Sequence, residues 1–389
     1  MKKIYFDYAA TSPVDPRVIK AMLPYFSEKF GNPMSLHGFG QEAKLALEKS
    51  RKEIADFIGA EIKEIIFTGS ATESNNSVLK GLAQANKEKG RHIIISQIEH
   101  PCVRESAKWL EKQGYQITRL PVDKYGLLNP RDLENAIKKD TILVSLIHAS
   151  NEIGTIQPVK ELGAACRQKG VLFHTDAVQS FGKIPIDVNK MNIDLLSASS
   201  HKIYGPKGVA CLYIRKGIKI EPLLHGGGQE SGLRSSTSNV PGIVGFAEAV
   251  RIAKKDMKKE NLRLFRLSQK LIKGLLKIEG SHLNGHPQKK LPNINNFWFD
   301  FIEGESLVMQ LDLEGIAAST GSACSSVTLE PSHVLMALGL KHQEAHGSLR
   351  ISLGRWSKES EINYLIRVLP QIVENLRKIS PFKTSFKFD

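Results

Sequence analysis

Short runs of β-branched and other apolar residues alternate with segments of helical hydrophobic periodicity. Three apolar runs predict buried strands, at residues 93–96, 141–146 and 171–174. Helix-like segments cover residues 104–112, 133–138 and 159–169. Alternation of this kind is typical of βαβ units, so we predict an α/β fold with a mostly parallel sheet. Ligands of such sheets bind beyond the carboxyl ends of the strands.

A long helical pattern that begins near residue 242 suits a helix linking two domains. Further strands are expected around residues 293–301 and 348–353. We predict a large domain of residues 15–255, with residues 1–14 and 256–389 forming a smaller α+β domain. The terminal residues 380–389 are polar and aromatic, and we expect them to be poorly ordered alone.

Composition favours a globular enzyme. The chain has 389 residues, of which 41% are hydrophobic and 24% charged. No apolar run approaches the roughly 18 residues of a membrane span, and the first residues do not resemble a secretory signal. The four cysteines show no close pairing, which predicts neither a disulfide framework nor a zinc site and fits a reducing cytoplasm.

The net charge of +14 could attract RNA, acidic carrier proteins or anionic substrates. The chain contains no block of five like charges, no aromatic-rich basic motif and no zinc-finger spacing. Its lysines are spread along helical stretches such as residues 254–259. We therefore interpret the charge as a solvated surface and expect no direct binding of nucleic acid.

Lys202 stands in a segment, residues 199–208, that suits bond formation between an amine and an aldehyde. The amine must be neutral to attack, so it belongs in a partly desolvated pocket. Ser199 and His201 could donate hydrogen bonds to a phosphate. Together these residues suggest pyridoxal phosphate (PLP). The alternative is an ordinary surface lysine.

Asp176 ends the apolar strand at residues 171–174, where its side chain would point into the cleft. An ionised carboxylate there could keep the pyridine nitrogen of PLP protonated. Gln179 could reach the ring oxygen if the following turn is helical. The alternative is an aspartate that only caps a helix.

Residues 67–76 indicate a strand, a tight turn and a helix start. The free N–H groups near Ala71 and the hydroxyl of Thr72 would suit a phosphate, although a simple capping turn has the same pattern. The chain lacks the GxxxxGK[ST] motif of nucleotide P-loops. Gly226, Gly227 and Gly228 lack the dinucleotide-binding spacing.

Three further polar residues follow or occupy predicted strands. His100 could stack on the cofactor ring and transfer protons. Asn151 could contact the ring oxygen. Arg350 could bind a substrate carboxylate through a bidentate fork, or serve in a structural salt bridge.

Cys324 lies among small polar residues, whereas Cys166 and Cys211 have apolar neighbours. A thiol in such a loop could attack a cofactor-activated substrate as the thiolate. We interpret Cys102, near His100, as a packing residue.

In combination these residues resemble the cysteine desulfurases, a PLP-dependent branch of the class-V aminotransferases. The matching stretches, in order along nearly the whole chain, are residues 5–11, 30–33, 71–76, 151–155, 174–179, 199–208, 324, 330–335 and 350. The resemblance implies the aspartate-aminotransferase type of fold and a homodimer. It also implies that Thr237 reaches the phosphate of the neighbouring subunit's cofactor, and that Asn32 and Asn151 contribute with Arg350 to substrate binding.

The implied activity removes sulfur from L-cysteine, giving L-alanine and a persulfide on Cys324. Lys202 and His100 would assist in catalysis. The sulfur would pass to an iron–sulfur scaffold or a tRNA-thiolation carrier. No resident metal is expected, although Cys324 could contact an iron–sulfur cluster transiently. The alternatives are a selenocysteine lyase, a PLP aminotransferase, or a PLP-fold scaffold without activity.

Two departures from the family pattern lie beside expected phosphate ligands. Gly69 precedes Ser70, where relatives often have the reverse order, and Ser236 replaces a usual glycine. Backbone conformation could differ at both places, and we expect altered cofactor affinity at most. The long segment from residue 319 to 331 resembles the subclass with an extended cysteine loop, which hands sulfur to scaffold proteins.

Overall fold

A seven-stranded sheet forms the larger part of the molecule. The computed structural model describes residues 3–321 and 330–380. The strands of this sheet are β2 (Ile65–Thr68), β3 (His92–Ser96), β4 (Gln116–Leu120), β5 (Thr141–Ile147), β6 (Leu172–Asp176), β7 (Leu195–Ser199) and β8 (Ala210–Ile214). Their order in the sheet is β2-β8-β7-β6-β5-β3-β4. Only β8 runs opposite to the other strands, pairing antiparallel with β2 and β7, so the predicted mostly parallel sheet is confirmed.

Helices cover both faces of this sheet, which explains why its strands have apolar residues at consecutive positions. In β3, Ile94 points into one core, whereas Ile93 and Ile95 point into the other. The helices before residue 170 are α1 (Pro16–Met22), α2 (Pro24–Ser27), α3 (Gly38–Ile58), α4 (Ala71–Asn76), α5 (Leu82–Ala85), α6 (Pro101–Lys112), α7 (Pro130–Ala136) and α8 (Val159–Gln168). A π-helical turn at Ser77–Gly81 joins α4 to α5.

Helix α9 (Val240–Leu275) is the long helix predicted near residue 242. Its first half, including Phe246 and Val250, packs into the core of the large sheet. Its second half, including Leu267 and Leu271, packs into a separate core. One helix therefore contributes to both hydrophobic cores.

The second core contains two small sheets. One has the antiparallel order β12-β10-β9, and in the other β1 pairs parallel to β11. Ile4 and Phe6 join this core although they lie at the opposite end of the chain. The remaining elements outside the large sheet are β1 (Ile4–Tyr5), β9 (Ser281–Asn284), β10 (Ile294–Phe299), α10 (Gly304–Leu313), β11 (Ile316–Ala317), α11 (His333–Ala337), α12 (His342–His346), β12 (Ser348–Ser352) and α13 (Glu359–Ile379).

Some element boundaries differ from the sequence prediction. Helix α7 begins and ends earlier than predicted. It begins at Pro130 because Asn129 caps its first turn and Pro130 suits its first position. Strand β6 extends two residues beyond the predicted run and ends at Asp176. Within the described part of the chain, no helix combines the length and apolarity needed to cross a membrane.

Candidate active site

A cavity of about 760 Å³ opens at the carboxyl ends of the central strands. Most of the predicted site residues line it: Ala71, Thr72, His100, Asn151, Asp176, Gln179, Ser199, His201, Lys202 and Arg350. Asn32 and Thr237 are exposed on loops and are not among its lining residues within this single chain. Cys324 lies outside the described residues. Tertiary folding thus brings together ten side chains from distant parts of the sequence.

Lys202 lies directly after β7, in a short 3-10 turn at Ser200–Lys202. Its Nζ donates hydrogen bonds to the carbonyl oxygens of Ala9 at 2.6 Å and Ala10 at 2.5 Å. Tyr204 adopts a left-handed backbone conformation with φ 68°, which lets the chain turn back toward β8. These contacts hold the amine inside the cavity.

Asp176 ends β6 and is only 4% exposed. Its Oδ1 accepts from the backbone N–H of Val178 at 3.0 Å, so it does cap the following turn. Its Oδ2 accepts from Asn75 Nδ2 at 2.7 Å. The carboxylate therefore stabilises the turn and also lines the cavity.

Asn75 is a site residue that the sequence analysis missed. It is fully buried, lines the cavity and holds Asp176. Its position three residues after Thr72 places both on one side of the helix. That spacing was the available signal, because a buried amide in a helix usually has a specific partner.

His100 caps the start of α6, where its Nδ1 accepts from the backbone N–H of Cys102 at 3.2 Å. An accepting Nδ1 requires the neutral ring to carry its proton on Nε2. Burial lowers the pKa of His100, and the charge of Lys202 lowers it further, whereas Asp176 opposes both. The imidazole is thus held in its neutral form, which can accept a proton.

The turn before α4 has a local reason for its Gly-Ser order. Ser70 caps the helix by accepting from the N–H of Glu73 at 3.1 Å. Glu73 in turn accepts from the N–H of Gly69 at 2.9 Å and pairs with Arg234. This reciprocal cap fixes the backbone next to Thr72.

His201 lies at the same side of the cavity, with Nδ1 3.0 Å from the hydroxyl oxygen of Thr11. Burial lowers the pKa of His201 to about 4, and the charge of Lys202 adds to this effect. The neutral ring and neighbouring hydroxyls can donate hydrogen bonds to an anion, which would restore charge balance beside Lys202 and Lys207.

Arg350 is 3% exposed and forms an ion pair with Asp7, from Nη2 to Oδ1 at 2.9 Å. Its Nη1 donates to the carbonyl oxygen of Asn151 at 3.0 Å. Nε is buried and has no hydrogen-bond partner among the described residues. The guanidinium is therefore salt-bridged, as the structural alternative required, and also lines the cavity.

The two ends of the segment that contains Cys324 also reach the cavity. Gly321 and Glu330 line it. Ser332 donates from Oγ to Glu152 Oε2 at 2.5 Å, and His333 donates from Nε2 to the carbonyl oxygen of Glu99 at 2.9 Å. These contacts join the segment after Cys324 to loops of the larger core.

The three described thiols are all held in their protonated form. Burial raises the pKa of Cys102, Cys166 and Cys211 to about 12 in each case. Cys102 lines the cavity, accepts a hydrogen bond from Asn75 Nδ2 at 3.2 Å and lies 3.0 Å from His100 Nδ1. It is consequently a poor nucleophile despite its position.

The donor set of the cavity fits PLP. An amine at Lys202 suits the aldehyde, and the buried carboxylate of Asp176 suits a protonated pyridine nitrogen. Hydroxyl and imidazole donors near Thr72, Ser199 and His201 suit the phosphate. Among the described residues, no group of acidic, histidine and cysteine side chains could hold a metal ion.

Comparison with known proteins gives consistent matches over almost the whole chain. Residues 4–365 match the family described as class-V aminotransferase. A cysteine desulfurase IscS of Methanosarcina thermophila is 53% identical over 380 residues, covering 98% of this chain and 94% of the relative. The mitochondrial cysteine desulfurase of Saccharomyces cerevisiae is 50% identical over 383 residues, covering 98% of this chain and 77% of the relative. A solved structure described as a NifS-like protein has a TM-score of 0.91 at 42% identity, covering 96% of this chain and 100% of that one.

Proposed function

We propose that this protein, which belongs to the class-V aminotransferase family, is a PLP-dependent cysteine desulfurase acting on L-cysteine. The observation that carries the proposal is the convergence on one cavity of Lys202, Asp176 and the two ends of the segment containing Cys324. An aminotransferase needs the first two residues but has no use for the thiol of Cys324. The curated relatives, about half identical over nearly the full chain, support the same conclusion.

Lys202 and Asp176 would hold the cofactor, the first through its amine and the second through its carboxylate. When bound, PLP supplies an electron sink for the substrate carbon next to the carboxylate. Asn75 keeps Asp176 oriented through its amide N–H. Ala71, Thr72, Ser199 and His201 would hold the phosphate.

His100 would transfer protons. Its neutral form exposes no charge to Lys202, and its ring can accept a proton released from the substrate. The hydrogen bond from Cys102 N to Nδ1 keeps the ring orientation fixed. In this tautomer Nδ1 is the ring nitrogen that can accept a proton, and Nε2 is the nitrogen that carries one.

Cys324 would accept the sulfur. Its thiolate attacks the substrate sulfur, the substrate carbon–sulfur bond breaks, and the carbon then takes up a proton. The net change, L-cysteine plus the thiol of Cys324 giving L-alanine plus the persulfide of Cys324, balances in atoms and electrons. The raised pKa values of Cys102, Cys166 and Cys211 support Cys324 as the nucleophile.

Arg350 and Asn151 would bind the substrate, with the buried Arg350 guanidinium facing the carboxylate. The ion pair with Asp7 would orient that guanidinium. Asn32 is retained as a substrate ligand on the family resemblance alone.

Assembly and partners belong to the same proposal. A homodimer would let Thr237, exposed in one chain, reach the cofactor phosphate of the neighbouring subunit. The separate cores support a large domain of residues 15–255 and a small domain of residues 1–14 and 256–389. We further propose a cytoplasmic location and transfer of sulfur to an iron–sulfur scaffold or a tRNA-thiolation carrier.

The decisive experiment incubates the protein with L-cysteine, measures alanine, and locates the added sulfur by mass spectrometry. Wild type should form alanine and carry the sulfur on Cys324. Cys324→Ala should bind PLP normally but form no persulfide, whereas the matched control Cys102→Ala should retain the activity. Sulfur on Cys102, or normal alanine production by Cys324→Ala, would contradict the proposal. Parallel assays with selenocysteine and with amino-group acceptors separate the lyase and aminotransferase alternatives.

A further inference from the structure

Gln179 is held between two groups of opposite hydrogen-bonding character. Its Oε1 accepts from Lys183 Nζ at 3.1 Å, and its Nε2 donates to the carbonyl oxygen of Ala9 at 2.9 Å. Gln179 is only 3% exposed, so water cannot readily replace these two hydrogen-bond partners. Both ends of the amide are therefore assigned to specific partners.

This environment determines which way the amide points. A lysine ammonium can only donate, and a backbone carbonyl can only accept. Rotating the amide by half a turn would place its NH₂ against Lys183 and its oxygen against Ala9. Both hydrogen bonds would be lost in a buried place, where unpaired polar groups are costly. The orientation of Gln179 thus follows from its neighbours.

The amide nitrogen of Gln179 shares its hydrogen-bond acceptor with the amine of Lys202. Ala9 O accepts from Gln179 Nε2 and also from Lys202 Nζ, at 2.6 Å. The Gln179 N–H groups and the Lys202 nitrogen therefore meet at a single oxygen atom. Any cofactor joined to Lys202 would lie next to these N–H groups.

We propose that Lys183 is a positioning residue, which holds the Gln179 amide with its N–H groups directed toward Lys202 and the ring oxygen of the bound cofactor. This inference rests on the proposed function, because it requires PLP at Lys202. Lys183 does not touch the reacting atoms itself. It acts through Gln179, four residues earlier in the chain.

The setting of Lys183 differs from that of a surface lysine. Its backbone carbonyl accepts from Asn261 Nδ2 of α9, and it lines a small cavity of about 40 Å³ behind Lys202. The charged or titratable groups around it are Lys202, His201, Asp256, Glu260 and Arg355. Burial lowers the pKa of Lys183 to about 7, and the charge of Lys202 contributes. A neutral amine can also donate to Oε1, and the Ala9 carbonyl, which can only accept, fixes the amide orientation in either charge state of Lys183.

The test is a double-mutant cycle on the PLP-loaded protein, using Lys183→Met, Gln179→Ala and the double variant. The readouts are the pH midpoint of the visible absorption band of the lysine-bound cofactor and the dissociation constant for PLP. A donor to the ring oxygen stabilises its negative charge and so weakens proton binding at the cofactor–lysine linkage. Lys183→Met should consequently raise the midpoint by about one pH unit and weaken PLP binding several-fold. In the Gln179→Ala background the same change should shift the midpoint much less.

Two controls make the outcome specific. Lys183→Arg keeps a donor for Oε1 and should restore the wild-type midpoint. Lys190→Met removes a lysine whose side chain is 82% exposed and should leave the pH midpoint unchanged. An unchanged midpoint in Lys183→Met, or an equal shift with and without Gln179, would overturn the positioning role. A wild type that forms no visible band with PLP would instead overturn the proposed function and this inference together.

Discussion

Ser332 and Glu152, 180 positions apart in sequence, share a hydrogen bond of 2.5 Å from the hydroxyl to the carboxyl oxygen Oε2. Ser332 follows the segment that contains Cys324, and Glu152 belongs to the loop after β5. A side chain at Gly321, which precedes the segment, would place its Cβ 3.0 Å from the same oxygen. The two ends of the segment thus meet at one buried carboxyl group, and only a glycine fits comfortably beside it.

Glu152→Gln should change how stability depends on pH. Burial raises the pKa of Glu152 from 4.5 to about 7, so the folded state binds a proton that the unfolded state releases. This contribution of Glu152 to the free energy of unfolding is fully present below about pH 4.5 and is lost as the pH rises through about 7. Glutamine does not titrate. Between pH 5 and 8 the free energy of unfolding of the variant should therefore rise by up to about 3 kcal/mol relative to that of wild type. Urea unfolding at several pH values measures this difference.

Glu99, with a pKa raised to about 8 by burial, titrates in both proteins and cancels in the comparison. Glu305→Gln, at an exposed position, provides the matched control. The difference between its free energy of unfolding and that of wild type should be the same at every pH. Parallel stability curves for Glu152→Gln and wild type would show that Glu152 is ionised throughout.

Lys202→Ala should abolish both the visible absorption of bound PLP and alanine formation. The substitution removes the amine that would bond to the aldehyde. Lys216→Ala, which removes a lysine whose side chain is 80% exposed, should preserve both. Spectra of the PLP-reconstituted variants give the answer directly. A normal band in Lys202→Ala would mean that another amine carries the cofactor.

Asp176→Ala should weaken PLP binding and slow turnover by roughly a hundredfold or more, because the ring nitrogen loses its charged partner. Asn75→Ala should produce a smaller loss of the same kind, since it removes a hydrogen bond to a charged group that is worth roughly 1.5–3 kcal/mol. Titration with PLP and steady-state kinetics measure both effects.

The control for Asn75 is its neighbour Asn76, whose Nδ2 donates to the carbonyl oxygen of Thr72 in its own helix. Asn76→Ala should bind PLP nearly as well as wild type. If turnover of Asp176→Ala at saturating PLP equals that of wild type, Asp176 serves only to cap the turn at Val178.

Ser236→Gly should stabilise the protein. Ser236 has φ 133°, a backbone region that side chains disfavour and that glycine occupies freely. Relief of this strain should contribute about 1 kcal/mol to the free energy of unfolding. The backbone N–H of this residue donates to Gln229 Oε1, and glycine keeps that bond. Urea unfolding measures the change, and Ser238→Gly serves as the control. If Ser236→Gly is less stable than wild type, the serine side chain stabilises the fold by more than its backbone strain destabilises it.

The elements whose signals are local can be predicted from the sequence. The consecutive apolar residues of β5 and the spacing of the following helix predicted a strand buried on both faces, because such patterns reflect neighbours a few residues away. The position of Asp176 at a strand end followed from the same pattern. Lys202 was recognised from its segment, and the family resemblance then added Thr237 and Asn32, whose roles the single chain leaves as proposals.

The sequence by itself determined the strand and helix order, the mostly parallel sheet and the residue types able to hold PLP. Only the tertiary structure decided which side chains meet: Asn75 with Asp176, Ser332 with Glu152, and the Ala9 carbonyl with Lys202 and Gln179. Periodicity reports the environment of one element, whereas these hydrogen bonds join elements far apart in the chain. Their formation depends on how strands and loops pack at the sheet's carboxyl edge, which no local pattern encodes.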